Sequence, residues 1–200
     1  MGADIVFVLD VSENMLGADS FIARGARLAT RELRSNDRVA VMSFSSGVKV
    51  HLPFTSDKEK LDDAFRKATR TSFRWTGARR MYDAVLTAIN QFPIGSSTRG
   101  NKVIAVITND VDSGSAHRPD ELVHEAAARG VSIWAFLIAN PYADPTHVQN
   151  GYPRIPYPDV QFAADELRTI TDRTGGKVSI HDTNGYILRQ AIAACKGNRE

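Results

Sequence analysis

Three short oxygen-bearing side chains stand two residues apart near the start of the chain: Asp10, Ser12 and Asn14. A carboxylate, a hydroxyl and an amide gathered on one loop are oxygen donors that suit a hard cation such as magnesium. The same residues also suit a polar turn between a strand and a helix, with Asn14 as the helix cap. Residues 5–9 (Ile-Val-Phe-Val-Leu) are five consecutive apolar side chains that stop at Asp10. An unbroken run of this kind, rich in β-branched and aromatic residues, reads as a strand buried on both faces. In open α/β sheets, ligands bind in the crevice beyond the carboxyl ends of the strands. The triplet falls there.

The elements that must position it follow from pattern. Residues 21–33 carry apolar side chains at helical spacing, with arginines on the other face. Residues 38–45 read as a second strand, and 48–54 alternate as a neighbouring edge strand after a turn at Gly47. Thr55-Ser56-Asp57 opens a helix whose buried stripe includes Leu61 and Phe65, and residues 81–92 form the next helix. Lys102–Thr108 and Val131–Ile138 are two more buried strands. Between them lies a helix begun by Pro119 and closed by Gly130. A helix over 162–173, a short strand over 178–181 and a last helix over 187–195 complete the chain. Buried strands alternating with helices predict a doubly wound α/β fold: a mostly parallel, six-stranded sheet with one antiparallel edge strand and helices on both faces.

Composition sets the outer limits. Two hundred residues with 42% hydrophobic content make a single domain, 1–200, with a substantial core. A net charge of +2 gives no global pull toward nucleic acid or an anionic membrane. No segment approaches ~20 uninterrupted apolar residues, so direct membrane insertion is not expected. The single cysteine, Cys195, excludes an internal disulfide framework and a cysteine-based zinc site. Met1 sits almost on the first strand, so no signal peptide is expected within these residues. The Met-Gly-Ala start and the stop at Glu200 lead us to expect a domain excised from a longer protein.

The order of elements, with Asp10-Val11-Ser12-Glu13-Asn14-Met15 after the first strand, resembles the von Willebrand factor type A domain family over nearly the whole chain. Further matches are Gly77-Ala78-Arg79-Arg80-Met81-Tyr82-Asp83-Ala84 and Val106-Ile107-Thr108-Asn109-Asp110. Leu167 and Thr174-Gly175-Gly176-Lys177 look like the acidobacterial branch of that family. The resemblance implies a metal-ion-dependent adhesion site: Asp-x-Ser-x-Ser on one loop, a threonine on a second, an aspartate on a third. The open metal position would take a carboxylate from a protein partner. Here Asn14 replaces the second serine, Arg79 falls in the threonine slot, and Asn109 stands where the aspartate belongs, with Asp110 and Asp112 one and three residues late. Losing a carboxylate and gaining a guanidinium both act against a divalent cation. The implied site is therefore degenerate, and no cofactor is expected. The alternative is a functional metal-dependent adhesion domain that binds Mg2+ weakly through Asp10, Ser12 and Asn14, with Thr76 supplying the missing hydroxyl after a loop shift.

Two other features bear on partners. Arg66, Lys67, Arg70, Arg74, Arg79 and Arg80 lie in a stretch with no acidic residue between Asp63 and Asp83. It reads either as a rim selecting an acidic partner or as a solvated helix face and loop. Residues 139–160 form a long connection carrying Tyr142, Tyr152 and Tyr157 among five prolines. Such loops in compact domains serve as binding elements, or else are decorative insertions. The five histidines show no metal-ligand spacing. Phosphate loops and nucleophile elbows are lacking. An aspartate nucleophile at Asp10 is the best enzymatic alternative, yet Ser12 stands where haloacid-dehalogenase-like families carry a second aspartate. The expectation is a non-catalytic protein-recognition module. Its extracytoplasmic or cell-surface location is implied by the resemblance alone.

Overall fold

The computed structural model describes residues 2–12, 15, 18–70, 77–94, 100–138, 160–181 and 187–196. Asn14, Arg74, Thr76, Tyr142, Tyr152 and Tyr157 lie outside the described residues. Six strands alternate with helices: β1 (Asp4–Asp10), α1 (Ala18–Arg31), β2 (Arg38–Phe44), β3 (Val48–Thr55), α2 (Lys58–Arg70), α3 (Met81–Ile89), β4 (Lys102–Thr108), α4 (Pro119–Arg129), β5 (Val131–Ile138), α5 (Val160–Thr171), β6 (Val178–His181) and α6 (Ile187–Cys195).

The strands lie in the order β3-β2-β1-β4-β5-β6. All neighbouring pairs are parallel except β2 with β3, which is antiparallel. The chain winds outward from β1 to β2 and β3, then crosses to build β4, β5 and β6 on its other side. The point where winding reverses is between β1 and β4, and the carboxyl end of β1 is Asp10. Every residue of β1 is buried, as an apolar run covered on both faces requires.

Alternation along the strands divides the core into two layers. Ile5, Phe7 and Leu9 pack with α1, α2 and α6, whereas Val6 and Val8 pack with α3, α4 and α5. Both layers are anchored by aromatic edge-to-face contacts, Phe7 on Phe65 in one and Phe54 on Phe92 in the other. Such pairs contribute about 0.5–1.5 kcal/mol beyond the area they bury.

The elements differ from the pattern-based expectation mainly at their ends. The third helix stops at Ile89 rather than 92, because Asn90, Gln91 and Phe92 bond back to Leu86, Ala88 and Ile89 as a turn. Phe92 nonetheless stays buried, so its place in the apolar stripe holds. The fifth helix tightens into a 3-10 turn over Asp172–Thr174 and ends at Gly175, whose φ of 77° lies in the left-handed region.

Candidate functional site

Asp10 ends β1 with 1% of its surface exposed. The Ser12 backbone N–H donates to its Oδ1 at 2.8 Å, and the Thr108 hydroxyl donates to its Oδ2 at 2.6 Å. The second bond follows from topology: β1 and β4 are neighbours in register up to Leu9 and Ile107, so Asp10 and Thr108 end side by side. Burial pushes the Asp10 carboxyl above its ordinary pKa. Hydrogen bonding from Thr108, the nearby Ser12 hydroxyl, the Ser12 backbone and the charge of Arg79 all oppose that rise without cancelling it. The Ser12 hydroxyl is near enough to favour the charged carboxylate. It is 3% exposed, and its oxygen makes no hydrogen bond of acceptable geometry among the described residues.

Arg79 enters from the loop before α3. Its Nη2 lies 2.7 Å from Asp110 Oδ2, with the Arg79 side chain 20% exposed and that of Asp110 12%. Its Nε donates to the Val111 carbonyl at 3.2 Å. Asp110 also closes its own loop, accepting the Val111 N–H on Oδ1 at 2.8 Å and donating its N–H to Thr108 Oγ1 at 3.2 Å. A chain of contacts therefore runs Asp10–Thr108–Asp110–Arg79. Direct pairing of Arg79 with Asp10 would be the simplest outcome of placing a cation here. The structure instead satisfies Asp10 with neutral donors and gives the guanidinium its own carboxylate. Asn109 is buried between these residues in sequence, at the end of β4.

The second and third loops are stitched together further out. Arg79 N–H donates to Ser113 Oγ at 2.9 Å, while the Arg79 carbonyl accepts N–H bonds from both Ser113 and Gly114 at 3.0 Å. A Cβ on Gly114 would stand 2.2 Å from the Ala78 Cβ, so the approach requires glycine. Asp112 caps α3 across the gap, accepting the Tyr82 N–H at 3.1 Å; Arg80, the helix's own cap residue, supplies no side-chain cap. Ser115 Oγ accepts the Asp83 N–H at 3.0 Å. In return Asp83 Oδ1 accepts the N–H groups of Ala116 and His117 and lies 2.7 Å from His117 Nδ1. Those bonds hold the Asp83 carboxyl below the usual carboxylate range despite its partial burial.

Sequence reasoning singled out Asp10, Ser12, Arg79, Asn109, Asp110 and Asp112, and the fold brings all six to the carboxyl ends of β1 and β4 and the loops beside them. It missed Thr108 as the partner of Asp10, and Ser113, Ser115 and His117 as loop clamps. For Thr108 the signal was available: a threonine ending an apolar strand predicted to neighbour β1. The basic rim is smaller than its sequence reads, because Arg66 and Lys67 both pair with Asp63, at 2.5 and 2.6 Å.

The donors that the described residues bring to this site are poorly suited to a divalent cation. Among the described residues no group of three or more His, Cys, Asp or Glu side chains is placed to hold a metal. Both oxygens of Asp10 are already hydrogen-bonded, and a guanidinium stands on Asp110. Repulsion between like charges at ~4 Å costs roughly 4 kcal/mol per unit charge at an effective dielectric near 20, and a divalent ion doubles it. Among the described residues, the Ser12 oxygen is a neutral donor that would suit a metal.

Comparison with known proteins places this arrangement. A structure described as an aerotolerance-related membrane protein from Bacteroides fragilis, carrying multiple mutations to serine, matches 99% of this chain and 100% of its own, with TM-score 0.72 and 17% identity. The conserved hypothetical protein BatB from Bacteroides thetaiotaomicron gives TM-score 0.73 at 16% identity, covering 98% of both chains. A von Willebrand factor type A structure from Catenulispora acidiphila gives 0.65 at 15% identity over 96% of this chain and 41% of that one. At these identities the likeness is one of fold. In sequence, an uncharacterized protein of Borreliella burgdorferi is 36% identical over 75 residues, which is 32% of this chain and 22% of that protein's length. The family model for the von Willebrand factor type A domain matches residues 5–113, more than half of the chain and the span that holds Asp10, Arg79 and Asp110. This chain belongs to the von Willebrand factor type A domain family.

Proposed function

We propose that this domain is a non-catalytic module for protein recognition or adhesion-type contact, and that the Arg79–Asp110 ion pair takes over the charge balance that a divalent cation supplies in relatives. The observation that carries this reading is the guanidinium 2.7 Å from Asp110, in the loop that Thr108 joins to Asp10. Domains of this family are typically interaction modules. The partner is a protein that meets the face formed by the ends of β1 and β4, contacting it through an acidic residue that the exposed Arg80 attracts. An extracytoplasmic or cell-surface setting accords with an adhesion-type role. Nucleic acid is not a partner in this reading, and no cofactor is required.

Catalysis through Asp10 is disfavoured by the same geometry. An aspartate nucleophile must be ionised and reachable, whereas Asp10 is almost fully buried, bonded at both oxygens and shifted toward its protonated form. The unbonded Ser12 oxygen favours one second reading, a weak magnesium-dependent adhesion site. Calorimetric titration of the domain with magnesium separates the two. The surrogate-cation reading expects no binding heat at millimolar metal; saturable binding of magnesium, even with a dissociation constant in the millimolar range, would overturn it.

A further inference from the structure

The two helix layers carry opposite charge. Helices α1, α2 and α6 together hold nine Lys or Arg and four Asp or Glu, a net +5. On the other face of the sheet, α3, α4 and α5 hold two basic and six acidic residues, a net −4. The near-zero charge of the whole chain conceals this segregation. The two helix layers thus differ in the sign of their charge, with the sheet between them.

The basic side has the chemistry of an interfacial surface. On α1, Arg24, Leu28 and Arg31 lie at helical spacing, and Leu28 is 40% exposed between the two exposed arginines. Exposed Lys58, Lys60 and Arg70 extend the same layer along α2. We infer that the face formed by α1, α2 and α6 docks on an anionic lipid bilayer. A continuous negative surface attracts spread basic residues without pairwise register, while a leucine among them enters the headgroup boundary. The acidic layer is repelled, which fixes the orientation. The loops bearing Asp10 and Arg79 leave the sheet at its carboxyl edge, between the layers, so they stay open to a protein partner beside the membrane.

Other occupants fit less well. A stable stack of two copies, basic face on acidic face, needs an apolar centre, and Leu28 is the one large exposed hydrophobic among the described residues of the three basic helices. Binding of single-stranded nucleic acid relies on exposed aromatic platforms, and no exposed Phe, Tyr or Trp occurs among the described residues of this layer. This inference stands apart from the loop site, and either can fail without the other.

The test is co-sedimentation of the domain with phosphatidylcholine vesicles, with and without phosphatidylglycerol as a minority lipid. We expect at least ~10-fold stronger partitioning to the anionic vesicles, lost in roughly 0.5 M salt, where screening reaches only a few Å. Arg24→Glu/Arg31→Glu/Arg70→Glu should abolish it, whereas Glu121→Lys/Asp165→Lys on the opposite layer should not weaken it. If the triple variant fails to fold, Arg24→Gln/Arg31→Gln should reduce partitioning several-fold. Equal binding to both vesicle types, or full binding by the charge-changed basic face, would overturn the inference. So would complete displacement by a duplex oligonucleotide at equal phosphate, or salt-sensitive dimers in sedimentation velocity without vesicle binding; these would assign the face to nucleic acid or to a second copy.

Discussion

Asp10 is buried at the end of β1, and neutral donors satisfy both of its carboxylate oxygens. Burial raises its pKa, so the folded protein binds this proton more tightly than the unfolded chain does. The linkage sign is therefore the reverse of that for an ordinary paired carboxylate. Asp10 contributes least penalty at low pH, and stability drains away as pH rises from the unfolded value of 3.8 through its raised folded value. Asp83, and Asp37, which accepts the Ala3 and Arg34 N–H groups before β2, have depressed values and act oppositely: their contributions are present above 3.8 and lost as pH falls below it. Asp10→Asn keeps an oxygen for the Ser12 N–H and turns the amide toward the Thr108 hydroxyl, which can accept from it. We predict that this variant is more stable than the parent at pH 7 by about 1 kcal/mol, with the difference shrinking toward pH 4; urea melts across that range are the check. A loss of stability at pH 7 would mean that the negative charge is needed. Arg79→Ala removes a partly buried guanidinium and leaves Asp110 and the Val111 carbonyl without it, so a loss of roughly 1–3 kcal/mol is expected in the same melts.

Among the elements, the legible ones were those whose signal is local. The apolar runs of β1, β4 and β5 and the Pro119–Gly130 brackets of α4 settle their own positions, and Gly130 takes the left-handed φ of 63° that its place after the helix demands. The end of α3 was not legible, because residues 90–92 keep helical periodicity while their backbone bonds form a turn. Nor was the cap of that helix: Asp112 reaches Tyr82 from 30 residues away, a contact set by the approach of two loops rather than by any local motif. Asp112→Ala should therefore cost about 1 kcal/mol, the scale of a lost helix cap, and should speed amide exchange at the start of α3. Gly114→Ala is a sharper probe of the same joint. Its Cβ would meet Ala78 at 2.2 Å, so the loops must part, with an expected loss of about 1–3 kcal/mol in thermal or urea melts. Unchanged stability would show the two loops to be independent.

At the scale of the molecule, the doubly wound architecture and the place of the site at its switch point were both readable, because alternation of buried strands and helices leaves few topologies. Two things escaped a linear reading. Net charge gave no hint of the split between layers, which appears only once each helix is assigned to a face of the sheet. The choice of carboxylate for Arg79 escaped as well: Asp10 and Asp110 are both near, and only the fold shows that Thr108 and Ser12 have already satisfied the first. The central claim is that Arg79 does for this domain what a cation does for its relatives. It is tested most directly by the thermal midpoint of Arg79→Thr/Asn109→Asp, measured beside the parent in millimolar magnesium and in chelator. Restoring a hydroxyl and a carboxylate while removing the guanidinium should make the double variant's midpoint rise by several degrees in magnesium, as ligand binding to the folded state requires. The parent's should not move. A parent that gains stability in magnesium, or a double variant indifferent to it, would contradict the account.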